Sequence, residues 1–77
     1  MSYEDFISKL WKAVGECPKN WRKGQKVFNC IESLYGSVAR EVQFVDGIDC
    51  FYNDNAIDDF IAHAWVKIAS NNLEKQK

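Results

Sequence analysis

Apolar residues recur at helical spacing in three long blocks of this chain. Tyr3, Phe6, Ile7, Leu10, Trp11 and Val14 fall at i, i+3, i+4, i+7, i+8 and i+11, one unbroken helical face. Ser2 precedes that face as an N-cap, and Glu4 and Asp5 occupy the opening turn, where carboxylates favour the positive end of the helix dipole. Gly15 and Pro18 end it. Near the other end, Ile57, Phe60, Ile61, Ala64, Trp65 and Ile68 repeat the same spacing behind Asn53 or Asp54 as a cap, with Asp58 and Asp59 in the first turns. The tail 71–77 is polar and is expected to fray.

Between these lies a second helix opened by Asn20 and closed by Gly36. Its core stripe reads Trp21, Gly24, Phe28, Ile31 and Tyr35, flanked by Val27 and Leu34. A helix-interior glycine costs about 1 kcal/mol relative to alanine, so Gly24 on the inward stripe suggests that another backbone approaches it closely. Beside the stripe, Arg22, Gln25, Asn29 and Glu32 fall within roughly 80° of one another and form a polar strip. Ser37 is placed to cap a short third helix through Val38, Ala39 and Val42. Residues 42–52 then suggest an extended arm, a turn at Asp46-Gly47 and a second arm, at most a minimal β-hairpin within an irregular connection. The fold class is mainly α: a single domain over 1–77 of three substantial helices, a short helix and an ordered loop.

Composition adjusts this picture in three ways. A 77-residue chain buries a modest fraction of its surface, but eleven aromatics supply large apolar area and allow a core without disulfides or metal. Net charge is −1, split as +3 over residues 1–40 and −4 over residues 41–77, so the halves attract each other or steer partners. Three cysteines, Cys17, Cys30 and Cys50, are an odd number without C-x-x-C spacing, which fits neither a disulfide framework nor a zinc site and suggests a reducing cytosol. The first residues lack a basic and apolar leader, and no apolar run approaches a membrane span, so a cytoplasmic location is expected.

Few residues suit catalysis. His63, the sole histidine, projects roughly 130° from the centre of the last helix's apolar face and is expected in solvent. Cys30 falls on the side of the second helix away from its core stripe, and neither it nor Cys17 has a histidine nearby in sequence. The aspartates near 46–59 fail calcium-loop spacing, since position 3 is Phe51 when counted from Asp49 and Ala56 when counted from Asp54. Lys19, Arg22, Lys23 and Lys26 surround Trp21, a pattern that binds phosphate and stacks on a base. The slightly acidic whole and the inward placement of Trp21 nevertheless disfavour nucleic acid. No enzymatic activity, cofactor, metal or membrane association is expected.

Two segments carry the remaining signal, 21–29 and 49–54. Arg22 near the start of the second helix is placed to grip Asp49 or Asp54 before the last one, while Gln25 and Asn29 offer partners to the loop backbone. Such a clasp holds the fold; the competing reading is a binding edge built from Arg22, Gln25, Asn29, Tyr52 and Asp54.

At these residues the chain resembles a loose group of small bacterial and phage-type proteins sharing W-R-x-G-Q-x-x-F-N and D-P-F-Y-x-D stretches. Here the stretches read Trp21-Arg22-Lys23-Gly24-Gln25-Lys26-Val27-Phe28-Asn29 and Asp49-Cys50-Phe51-Tyr52-Asn53-Asp54, with Cys50 where the group tends to have proline. The resemblance spans roughly residues 20–65 and implies no activity. It implies a phage or mobile-element origin and a small binder of a host protein. The leading expectation is therefore a non-catalytic protein whose partner is another protein, a host factor or a second copy, in the bacterial cytosol. The alternative is a small-molecule or nucleotide sponge using Arg22, Gln25 and Tyr52.

Overall fold

The computed structural model describes residues 2–75, with side chains through Ser70. Among the described residues four α-helices follow in order, α1 (Tyr3–Gly15), α2 (Lys23–Tyr35), α3 (Val38–Phe44) and α4 (Ile57–Lys75), with a 3-10 turn at Asp54–Ala56 before α4. The Ser2 hydroxyl accepts the Asp5 N–H at 3.1 Å and starts α1 as the pattern predicts. Gly36, at φ 67, closes α2 by donating its N–H to the Glu32 carbonyl at 2.9 Å. The Asn53 side chain accepts the Asn55 N–H and begins the turn into α4. The fraying expected for 71–77 concerns side chains from 71 onward and residues 76 and 77, which lie outside the described residues.

α2 packs against α1, α3 and α4, and α3 packs against α4. Phe6 and Leu10 from α1, Val27 and Ile31 from α2, Val42 from α3, Cys50 from the loop and Phe60 from α4 are completely buried at the centre. Two aromatic groups tie distant parts of the chain together. Phe6 stacks on Trp65 with centroids 5.5 Å apart, which fastens the first helix to the last. Phe28 meets Phe51 of the loop edge-on at 5.5 Å and Phe60 of α4 at 5.6 Å. Lys23 lies over the Trp11 ring at 5.4 Å, a further link between α2 and α1.

Several expectations are corrected. α2 begins at Lys23, with Arg22 rather than Asn20 in the cap position. Trp21 is therefore outside the helix, in a turn where its N–H bonds the Pro18 carbonyl, and it is half-buried rather than central. Without Trp21 the buried face of α2 turns toward Cys30, which is only 5% exposed, and leaves Leu34 largely in solvent. Ser37 makes no side-chain cap; its backbone is already helical and its carbonyl accepts the Glu41 N–H. The hairpin near 42–52 is absent, and no strand occurs among the described residues. The first arm is absorbed into α3, which ends in an exposed Phe44, while the Asp49 carboxylate takes the Phe51 N–H at 2.9 Å that a second arm would have offered to a partner strand. Among the described residues no helix is long and apolar enough to cross a membrane.

Candidate functional site

The start of α2 meets the loop 49–54 at Gly24. The glycine is buried, and a Cβ built on it would run into the Cys50 carbonyl oxygen and come within 2.8 Å of an Asp54 carboxylate oxygen. Two backbones thus touch where only a hydrogen fits, which answers the question the inward glycine posed. The proximity is used chemically. Asp54 Oδ1 accepts the Gly24 N–H at 3.0 Å. Gly24 is the second residue of α2, whose N–H a cap side chain ordinarily satisfies, and Arg22 in the cap position makes no such bond. Asp54 caps the helix from thirty residues away and sets a carboxylate at its positive end.

Arg22 completes the joint. Its Nη2 donates to the Phe51 carbonyl at 2.6 Å, and its Nη1 stands 3.8 Å from Asp54 Oδ1. The expected grip on a loop aspartate therefore falls on Asp54. Asp49 instead turns back to its own loop and bonds the Phe51 N–H. On the inner side the Cys50 thiol donates to the Gly24 carbonyl at 3.3 Å, completely buried. Burial, with the charge of Asp49 next in importance, pushes this thiol up to about 12, so it stays protonated and inert at neutral pH. The loop is thereby pinned from both sides. Tyr52 in this loop packs its ring edge-on to Phe51 at 4.8 Å and remains 72% exposed.

The five expected site residues divide. Arg22, Tyr52 and Asp54 share the joint and its rim, all three exposed. Gln25 is half-buried one turn along α2, and neither it nor Asn29 makes a side-chain hydrogen bond to the loop. Asn29 lines a different feature, an open groove of about 440 Å³ between α1 and α2 that also holds Trp21, Cys17 and Cys30. Sequence reasoning missed the acceptor role of Asp54 toward a backbone N–H. Asn20 looked like the cap in the sequence, so the gap that Asp54 fills shows only once α2 is seen to begin at Lys23.

A second exposed region lies where α3 meets α4. Asp46 Oδ2 pairs with His63 Nδ1 at 3.2 Å and Lys67 Nζ at 3.4 Å, which bracket Val66 on α4. Phe44, Val45 and Val66 are 77%, 76% and 63% exposed there. His63 is on the surface, as its helical phase predicts. No group of three or more histidine, cysteine or carboxylate side chains suited to a metal occurs among the described residues. No family model, curated protein or solved structure matches this chain.

Proposed function

We propose that this is a non-catalytic binding protein that presents Tyr52, with Arg22 and Asp54 beside it, to another protein. The observation that supports the reading most is the pinned loop. Phe51, next to Tyr52, has its carbonyl held by Arg22, its N–H held by Asp49 and its ring held by Phe28. A large exposed aromatic on a loop already fixed in place loses little conformational freedom on binding, and tyrosine and arginine are the side chains that most often anchor protein interfaces. The state of Cys50 agrees, since a completely buried thiol pushed up to about 12 is a poor nucleophile. A phage or mobile-element origin rests on the resemblance of the two stretches alone, and a bacterial cytosol on that resemblance together with the three cysteines without disulfide or zinc spacing.

The sponge reading gains less. A guanidinium that already serves the Phe51 carbonyl beside the Asp54 carboxylate has little left for a phosphate, and Asp54 repels the same anion.

The test is capture from a bacterial lysate at micromolar bait, with the unchanged protein and with Tyr52→Ala. The expected result is a specific partner for the first and loss of most of it for the second, with unchanged melting. Capture of no protein by the unchanged chain defeats the reading. A partner that survives Tyr52→Ala and is lost with Phe44→Asp moves the contact to the α3–α4 corner. A rise in melting temperature with nucleotide and no partner would favour the sponge.

A further inference from the structure

Cys17 lies just past the end of α1 and Cys30 in the middle of α2, yet their sulfurs are 3.3 Å apart. Both face the open groove between α1 and α2, whose wall also includes Pro18, Trp21 and Leu34. Cys30 is buried and Cys17 only half-buried, so a molecule in the groove meets Cys17 first. The third thiol, Cys50, is completely buried and bonded to the Gly24 carbonyl in another part of the molecule. The odd cysteine count therefore resolves into one pair and one isolated thiol.

We propose that Cys17 and Cys30 are an oxidisable dithiol, a modification site at which a small organic disulfide entering the groove is reduced while the chain closes an intramolecular disulfide. The Cys17 thiol, its proton lost to solvent, attacks one sulfur of the small disulfide. That S–S bond breaks, a mixed disulfide forms on Cys17, and the first small thiolate leaves and takes up a proton. Cys30 then gives up its proton and attacks Cys17 Sγ, which expels the second small thiolate to be protonated in turn. Two electrons pass from the protein sulfurs to the small disulfide, and one disulfide is exchanged for another with two thiols released.

The geometry assigns the order of attack. Cys17 is half-buried and Cys30 buried 3.3 Å behind it, so Cys17 is the entry point and Cys30 the resolving sulfur, and burial with the Cys17 sulfur beside it raises the Cys30 thiol in the same sense. Covalent closure brings the two sulfurs together by little more than about 1 Å. Cys17 lies beyond α1, with its N–H on the Val14 carbonyl at 3.2 Å and its thiol on the Ala13 carbonyl at 3.5 Å, a weak bond that its attack gives up. Cys30 is fixed within the hydrogen-bond ladder of α2.

The experiment treats the purified full chain with excess oxidised glutathione, quenches in acid, and counts thiols by maleimide labelling under denaturing conditions with intact-mass and peptide analysis. The expected product has lost two hydrogens, retains one of its three thiols and contains a Cys17–Cys30 linkage. The melting temperature is expected to rise by roughly 5–15 °C through loop closure. Cys30→Ser is expected to stop at a glutathione adduct on Cys17, while Cys17→Ser leaves Cys30 unmodified in the folded protein. The unchanged chain alone decides the matter if either variant folds poorly. A stable glutathione adduct on Cys17 in the unchanged chain overturns the proposal. So does a linkage that involves Cys50, a linkage between two copies, or three thiols remaining.

Discussion

The loop 45–53 is fastened at its beginning and at its end, and the two fastenings differ in kind. At its beginning, Asp46 holds His63 and Lys67 through side chains alone, with the histidine side chain half exposed and those of Asp46 and Lys67 20% and 24% exposed. At its end, the loop backbone lies against Gly24, a buried thiol bonds the glycine carbonyl, and Asp54 satisfies a helix N–H. The first fastening joins side chains alone, each still in partial contact with water, and leaves no backbone group dependent on it. The second fastening removes backbone groups from water, and each of them must then find a partner or carry an uncompensated cost. The end of the loop therefore positions it, and the beginning only tethers it.

The sharpest way to break this contrast is Gly24→Ala. Alanine favours a helix over glycine by about 1 kcal/mol, so propensity alone predicts a stabilised protein. Against that, the new methyl would meet the Cys50 carbonyl oxygen, a backbone atom that cannot swing aside. Overpacking of this kind costs about 3 kcal/mol. The clash wins, and the variant is expected to lose about 2 kcal/mol of net stability by urea unfolding. A variant as stable as the parent would mean that the two backbones separate easily and that the end of the loop is no firmer than its beginning.

Much of this architecture is visible in the chain before any coordinates. The spacing of Phe6, Leu10, Phe60, Ala64 and Ile68 places α1 and α4 and their buried faces, because a sustained helical period has one interpretation. Gly24 on an inward stripe announces a close approach. The errors share one physical origin. Trp21 looked like the first core residue of α2, but the Pro18 carbonyl draws its N–H into a turn and the helix starts two residues later. That single displacement hid the burial of Cys30 and with it the Cys17–Cys30 pair. Tertiary contacts such as Asp54 to the Gly24 N–H leave only indirect marks in sequence, since a carboxylate thirty residues away has no periodic relation to the helix it caps. Phe44 escaped for the opposite reason: composition assigns an aromatic to the core, while the end of α3 carries it into solvent.

Asp54→Ala tests the cap from a distance. It leaves the Gly24 N–H without its acceptor and Arg22 without its nearby carboxylate, and should cost about 1–2 kcal/mol. Asp54→Asn separates the two contributions. An asparagine oxygen still accepts the N–H, so most of the stability should return, and the remainder reports the charge interaction with Arg22 and the helix dipole. If Asn and Ala are equally damaging, the charge rather than the hydrogen bond holds the joint, and the end of the loop would resemble its beginning more closely than its geometry suggests.

The smallest expected effect belongs to the other fastening. Asp46→Ala removes both contacts, to His63 and to Lys67, side chains that keep only part of their surface in water, and should cost about 1 kcal/mol, the upper end for surface ion pairs. Screening supplies a second handle, since charge interactions in contact with solvent weaken as the Debye length shrinks to about 3 Å at 1 M salt. The difference in unfolding free energy between the parent and Asp46→Ala should therefore be small in dilute buffer and shrink at 1 M sodium chloride, in part only, because the Asp46 and Lys67 side chains are 20% and 24% exposed. The Asp54→Ala difference should persist there in its hydrogen-bond part. A deficit for Asp46→Ala that matches Asp54→Ala and survives high salt would show that the tether positions the loop as firmly as the joint. The presentation of Tyr52 would then depend on α4 as much as on α2.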